Sequence, residues 1–174
     1  MAGETNLTYS MPLEVYLQAA VVRGILVTNQ DRLSNYLILR KGEEIFSLKD
    51  ATLESFDRKP VNIASDEYVI YMQEVYLIAD LSPQEEMRRA GMENFYVHKE
   101  TSKALVSVGP YLIQGNIHLF PGSALHDLFL EKTLFFPVTE GLMVDRKDIG
   151  PRTYLLNRSK IGFMTAIGDG LVEL

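Results

Sequence analysis

The sequence predicts a mainly β protein made of two copies of a small barrel-like unit, each with one short helix, packed as one pseudo-twofold body. Two observations predict it. Apolar and polar residues alternate along several short segments, which is typical of half-buried strands. In addition, a series of short segments recurs in the same order in both halves of the 174-residue chain. Such a recurrence indicates an internal duplication.

Gly24 and Gly115 anchor the alignment of the two halves. The matching segments, first half then second half, are 15–17 and 106–108, 22–26 and 113–117, 33–37 and 125–129, 46–51 and 136–141, 57–59 and 145–147, and 75–77 and 161–163. The shift between partners changes only between elements, where loops tolerate insertions and deletions. The two glycines also indicate a strong bend or a close approach of two backbones.

Each copy is expected to contain two strands, a short helix and further strands. The first copy is predicted to have strands over 13–17 and 22–26, a helix from Asp31 to about Leu39 with Asp31 as N-cap, and strands over 45–56 and 69–79. The second copy is predicted to have strands over 106–108 and 113–117, a helix from Ser123, and strands over 135–144 and 154–165.

The chain is therefore divided into a first repeat (12–80), a helical linker (81–102), a second repeat (103–166) and a tail (167–174). In the linker, Ser82-Pro83-Gln84-Glu85 matches a capping box with proline at the first helical position. A copy of roughly 65 residues is marginal for independent folding, so the two copies are expected to pack together.

The composition excludes several kinds of chemistry. The chain has no cysteine and therefore no disulfide, thiolate nucleophile or cysteine metal site, and its three histidines are too far apart for an HExxH zinc site. No cofactor is predicted. The first residues lack the pattern of a signal peptide, and the uncharged stretch 104–126 is broken by glycine and proline, so a cytoplasmic protein without a membrane span is expected.

The net charge of −6 argues against broad affinity for nucleic acid or anionic membranes, because both need clustered Lys and Arg. The charge is uneven along the chain. Residues 12–80 carry 7 basic and 11 acidic side chains, whereas residues 103–174 carry 7 of each. The second half is thus the better place for an anionic partner.

The second copy contains the patterns Ile113-x-Gly115-x-Ile117-His118, Leu125-x-Asp127-x-Phe129 and Phe136-x-Val138-x-Glu140. Over residues 104–166 it resembles an uncharacterised family of small bacterial β-rich domains, a domain of unknown function, which would occur here in tandem. The first copy departs from this pattern at Val27 and Asn35. Since the family has no established activity, the resemblance implies no chemistry.

Each copy also resembles the Sm-like small barrels that bind RNA in rings. Gly24, Asp31-x-x-x-Asn35 and Leu48-x-Asp50-Ala51 are similar to the first Sm motif. The spacing departs from that motif, because the Asn lies well before the Leu-x-Asp-Ala segment, and Asp127 takes the place of Asn in the second copy. The resemblance implies an Sm/SH3-like barrel shape rather than RNA binding.

Basic residues of the repeated Asp-Arg-Lys triplets are candidate contacts to phosphate or to an acidic partner. These are Arg58, Lys59, Arg146 and Lys147, with Arg152 close by. The alternative is that they are charged turn residues that favour solubility. Arg158 and Lys160 extend the basic character and are expected on a solvated strand face.

His118 and His126 are the other candidates. His118 is predicted on a polar strand face with Gln114 and Asn116, where an exposed histidine is the simpler interpretation. His126 next to Asp127 invites a catalytic or ligand-site interpretation, but adjacent helix residues do not face each other, and an acidic residue at a helix start is explained by the helix dipole.

The predicted function is a non-enzymatic interaction or assembly module with a protein partner or a second copy, because strand edges can pair between chains. One alternative is nucleic-acid or nucleotide binding through the basic loops and the strand tyrosines, which could stack on bases or pack in the core. These tyrosines are Tyr68, Tyr71, Tyr76 and Tyr111. Another alternative is a small-ligand pocket between the repeats, near His126.

Overall fold

The computed structural model describes residues 7–40, 43–56, 61–82, 99–146 and 148–168. Within them the chain is mainly β, with antiparallel strands, and divides into two compact units. Unit 1 holds the described residues up to Val75 together with Asp80–Ser82, and unit 2 holds Tyr76–Ala79 together with the described residues from Lys99 onwards.

Unit 1 is an antiparallel sheet in the order β1-β2-β3-β4. Its strands are β1 (Tyr9–Tyr16), β2 (Ala20–Thr28), β3 (Ile45–Ser55) and β4 (Asn62–Tyr71), with helix α1 (Leu33–Leu39) between β2 and β3. In β1, Leu13 and Val15 are buried as predicted, but Glu14 and Tyr16 are buried as well, so the predicted alternation does not continue past Leu13. Leu13 and Val15 pack in a core with Val22, Leu26 and Leu48, side chains that all leave water on folding.

Unit 2 is an antiparallel sheet in the order β10-β6-β7-β8-β9-β5. Its strands are β5 (Leu77–Asp80, of which 77–79 belong to this unit), β6 (Glu100–Val108), β7 (Tyr111–Leu119), β8 (Phe135–Met143), β9 (Arg152–Asn157) and β10 (Ile161–Ala166). Strand β7 alternates between buried and half-buried residues along its whole length, as predicted for a strand with one face in the core.

Gly24 and Gly115 lie where a second strand approaches the backbone closely. A Cβ on Gly24 would lie 2.6 Å from the Ala51 Cβ, and a Cβ on Gly115 would lie 2.5 Å from the Val138 Cγ1. The pairings of β2 with β3 and of β7 with β8 both shift register next to the glycine. The predicted close approach is therefore confirmed at both positions.

Several predicted boundaries differ from the structure. Helix α1 begins at Leu33 after Arg32, and Asp31 does not cap it: its carboxylate accepts a hydrogen bond from the Asn35 side chain at 3.1 Å. In the second copy a 3₁₀ helix over Leu125–Leu130 replaces the predicted helix from Ser123.

The predicted long strands 69–79 and 154–165 are each interrupted by a short 3₁₀ helix, over Met72–Glu74 and Arg158–Lys160. Strand β6 begins at Glu100, inside the predicted linker, whose residues 83–98 lie outside the described part of the chain. Tail residues 169–174 also lie outside it.

The predicted closed barrels are not formed by the described strands. A barrel requires the first and last strands of a sheet to pair, whereas the described strand order ends at β1 and β4 in unit 1 and at β10 and β5 in unit 2. The same kinds of element follow one another in both units, but the duplication itself stays a prediction. In the described residues, no helix is long and apolar enough to cross a membrane.

Candidate functional site

Strand β4 forms an uncovered edge of unit 1. It pairs with β3 along one side, and no described strand of the unit lies along its other side. Its apolar side chains Ile63, Val69 and Tyr71 are each more than half exposed. An edge with unpaired backbone groups and exposed apolar side chains is a template for pairing with another strand.

Strand β10 forms an edge of unit 2 along which no other described strand lies, and the 3₁₀ helix Leu125–Leu130 comes near this strand. Strand β10 pairs with β6 along one side, with a register shift between Ile161 and Phe163. The strand reads IGFMTA and carries no charge, and Phe163 is 51% exposed. Charged side chains and proline commonly protect edge strands from pairing with other chains, and β10 has neither.

In the alignment of the two halves, β9 corresponds to β4 and β5 corresponds to β10. Unlike β4 and β10, strands β9 and β5 lie next to each other in unit 2. A shift of 86 residues, already seen between 75–77 and 161–163, continues through the 3₁₀ helices and places Val69 on Leu155. Val69 is 57% exposed, but Leu155 is 3% exposed. The same shift places Phe163 on Leu77, which is fully buried. Residues at aligned positions of the sequence therefore differ in burial.

A backbone hydrogen bond joins strands β9 and β5 within unit 2. The Asn157 N–H donates to the Tyr76 carbonyl at 2.9 Å, and β5 follows β9 in the strand order. Asn157 has no exposed surface, whereas Tyr71 at the aligned position is 53% exposed. Strands β4 and β10 thus each have one side without a described strand in their unit, whereas β9 and β5, at the aligned positions, are neighbours.

Of the basic residues that the sequence singled out as candidate contacts, Arg146 and Arg152 lie in the described part of the chain. Arg146 bonds to Asp148, with its Nε 3.2 Å from Oδ1, and Arg152 lies half-buried at the start of β9. The other three predicted contacts, Arg58, Lys59 and Lys147, lie outside the described residues. Phosphate binding by these loops stays a prediction.

Arg158 is not on a solvated face, so that prediction was wrong. Its side chain is 10% exposed, and its guanidinium donates to the carbonyl oxygens of Glu131 (2.6 Å) and Thr133 and to the Thr133 Oγ1 at 3.1 Å. Burial lowers the pKa of Arg158. This arginine holds the loop before β8 in place.

His118 lies half-buried on the polar face of β7. Its Nε2 is 2.7 Å from the Thr139 Oγ1, and the neighbouring Asn116 side chain donates to Glu140 at 2.7 Å. Burial, followed by the positive charge of Lys99, lowers the pKa of His118. A neutral imidazole that bonds to a hydroxyl across strands fits a packing role in the sheet.

His126 is exposed, and its Nε2 lies 3.3 Å from Asp127 Oδ1, so these neighbours do approach each other, contrary to the prediction. The Asp127 carboxylate also accepts the Ala124 N–H at 2.7 Å, while the Asp127 N–H donates to the Ala124 carbonyl. Asp127 therefore closes the start of the 3₁₀ helix.

The four candidate tyrosines have separate roles. Tyr76 and Tyr111 form an edge-to-face pair with ring centroids 6.1 Å apart, and burial raises the pKa of Tyr111 to about 12. Tyr68 donates its hydroxyl to the Ile63 carbonyl. Tyr71, on the edge of β4, is the most exposed of the four.

A cleft of about 320 Å³ in unit 1 runs beside Tyr36, Arg40 and Lys49. Its charged groups are already engaged: Arg40 lies over the Tyr36 ring and pairs with Glu43, and Lys49 pairs with Glu67. Among the described residues, no three metal-binding side chains come together.

Comparison with protein-family models, with curated proteins and with solved structures finds no match to this chain. The resemblances to a bacterial β-rich domain and to Sm-like barrels therefore stay predictions. The two open strand edges are the feature of the described residues that best suggests a function.

Proposed function

We propose that this protein is a non-enzymatic assembly module, built from two copies of one strand unit, whose open edges pair with strands of another protein chain. The observation that carries the proposal is the exposure of apolar side chains along β4 and β10. Val69 and Phe163 are 57% and 51% exposed, in strands that each have one described neighbour within their unit.

Edge pairing satisfies two physical demands at once. The outward N–H and C=O groups of an edge strand gain partners in a continuous ladder, and the apolar side chains leave water. Strand addition of this kind is a recognised mode of protein association, in which the backbone supplies affinity and the side chains supply specificity.

The test is the mass of the full-length wild-type chain in solution, measured by light scattering and native mass spectrometry over a wide range of concentration. We expect masses that are multiples of the 19.7 kDa chain. Val69→Lys and Phe163→Lys place a charge on the β4 and β10 edges respectively, and each is expected to reduce the mass. A wild-type protein that remains a single chain throughout contradicts the proposal.

Matched controls separate an edge effect from a general effect of adding lysine. Val27 is 50% exposed on β2 and Leu142 is 38% exposed on β8, and each of these strands has a partner strand on both sides. Val27→Lys and Leu142→Lys should leave the mass of the assembly unchanged. Equal losses in the controls and the edge variants would show that the edges are not the contact.

A further inference from the structure

We infer that the occupant of the β4 edge is strand β10 of a second copy of this chain, so that copies associate head to tail. This inference rests on the proposed function. It adds the identity of the partner, the pairing of two different edges, and the register in which they meet. Inside unit 2, β9 and β5 are neighbours, and they are the strands aligned with β4 and β10.

The residues that follow β4 and β9 make corresponding backbone hydrogen bonds at aligned positions. Met72 N–H donates to the Glu44 carbonyl at 2.7 Å, and Arg158 N–H donates to the Leu134 carbonyl at 2.8 Å. Adjacent residues of a strand point their N–H groups in opposite directions. The N–H of Tyr71 therefore points away from β3, as the N–H of Asn157 points away from β8.

The residues that follow β5 and β10 also make corresponding backbone hydrogen bonds at aligned positions. Leu81 N–H donates to the Pro12 carbonyl at 3.0 Å in unit 1, and Ile167 N–H donates to the Lys103 carbonyl at 2.9 Å in unit 2. Strand β10 is therefore the counterpart of β5. Because β5 covers β9 within unit 2, β10 has the backbone arrangement needed to cover the counterpart of β9, which is β4.

The register follows from the alignment. The bond from Asn157 N–H to the Tyr76 carbonyl corresponds to a bond from Tyr71 N–H of one copy to the Gly162 carbonyl of the next. In this contact Val69 and Phe163 would become buried like their counterparts Leu155 and Leu77. The interface is heterologous, since each copy contributes a different edge, and its repetition forms a closed ring or an open chain.

Mixing two single-edge variants tests this directly. Val69→Lys blocks β4 and leaves β10 intact, whereas Phe163→Lys blocks β10 and leaves β4 intact. Each variant alone is expected to be a single chain. An equimolar mixture is expected to form a complex of two chains and no larger species, because one intact β4 and one intact β10 remain. Recovery in the mixture also shows that both variants are folded.

Other outcomes overturn the inference in distinguishable ways. If Phe163→Lys alone still associates, β4 pairs with itself or with another surface, and the assembly function stands without the head-to-tail contact. If both variants remain single chains when mixed, although the wild type associates, the two edges are not complementary. If the wild type is a single chain, both this inference and the proposed function fail.

Discussion

Asp50 and Glu140 have the same unusual backbone conformation, with φ of 46° at Asp50 and 50° at Glu140. They lie at aligned positions of β3 and β8, and the next residues, Ala51 and Gly141, come close to Gly24 and Gly115 respectively. A positive φ turns the strand sharply at one residue. Each sheet therefore bends where its glycine admits the neighbouring backbone.

Replacement of the close-approach glycines is expected to destabilise the protein. A Cβ on Gly115 would lie 2.5 Å from Val138 Cγ1 and 2.9 Å from the Gly141 Cα, so Gly115→Ala forces two strands apart and should cost about 1–3 kcal/mol of unfolding free energy. Gly150→Ala is the control, because nothing lies within 4 Å of its Cβ position. Urea titration of both variants measures the difference, and equal midpoints would contradict the expected crowding.

The bend at Asp50 is expected to depend on backbone conformation rather than on its carboxylate. Valine favours extended strands but disfavours positive φ, so Asp50→Val should lower the unfolding free energy by about 1–2 kcal/mol. Asp50→Gly removes the same carboxylate and accepts positive φ without strain. Thermal unfolding should therefore give a clearly higher midpoint temperature for Asp50→Gly than for Asp50→Val. A similar loss in both variants would assign the effect to the carboxylate.

Arg158 is expected to be a structural residue of unit 2. Arg158→Ala leaves the carbonyl groups of Glu131 and Thr133 without their donor, and we expect a loss of about 2 kcal/mol in unfolding free energy. Arg146→Ala is the control, because Arg146 pairs with Asp148 at the surface and such pairs contribute at most about 1 kcal/mol. Denaturant unfolding compares the two, and a larger loss for Arg146→Ala would contradict this assignment.

Protonation of His118 is expected to lower the free energy of unfolding at acidic pH. The folded pKa of His118 is lowered below the value of about 6.5 expected in the unfolded chain. The unfolded state then binds protons more readily, so the contribution is present above pH 6.5 and is lost as the pH falls below it. Unfolding measured from pH 7.5 to 5 should show this loss in the wild type, and His118→Gln should reduce it. An identical pH dependence in both proteins would exclude His118 as its source.

The candidate site was partly accessible from the sequence. The sequence predicts strand edges that can pair between chains, and it offers Tyr71 as a candidate for base stacking rather than for edge pairing. Val69 and Phe163 were missed because an apolar residue in a strand looks the same whether it lies in the core or at an edge. The basic triplets can be identified from the sequence because charge depends on residue type. An unpaired backbone edge cannot, because it depends on which strands are neighbours in the fold.

Three features can be predicted from the amino-acid sequence without a structure: the alternating pattern of strands such as β7, the order of the elements, and the two glycine positions where strands approach closely. These features depend on local preferences and on one small residue at each crossing. Which edges have a neighbouring strand can be seen only in the folded protein: Val69 and Leu155 are aligned apolar strand residues, yet one is exposed and the other is buried. The difference arises because β5, from a distant part of the sequence, lies beside β9 in unit 2. Strands pair through backbone N–H and C=O groups that nearly every residue type carries, so the residues of a strand do not reveal whether it has a neighbour.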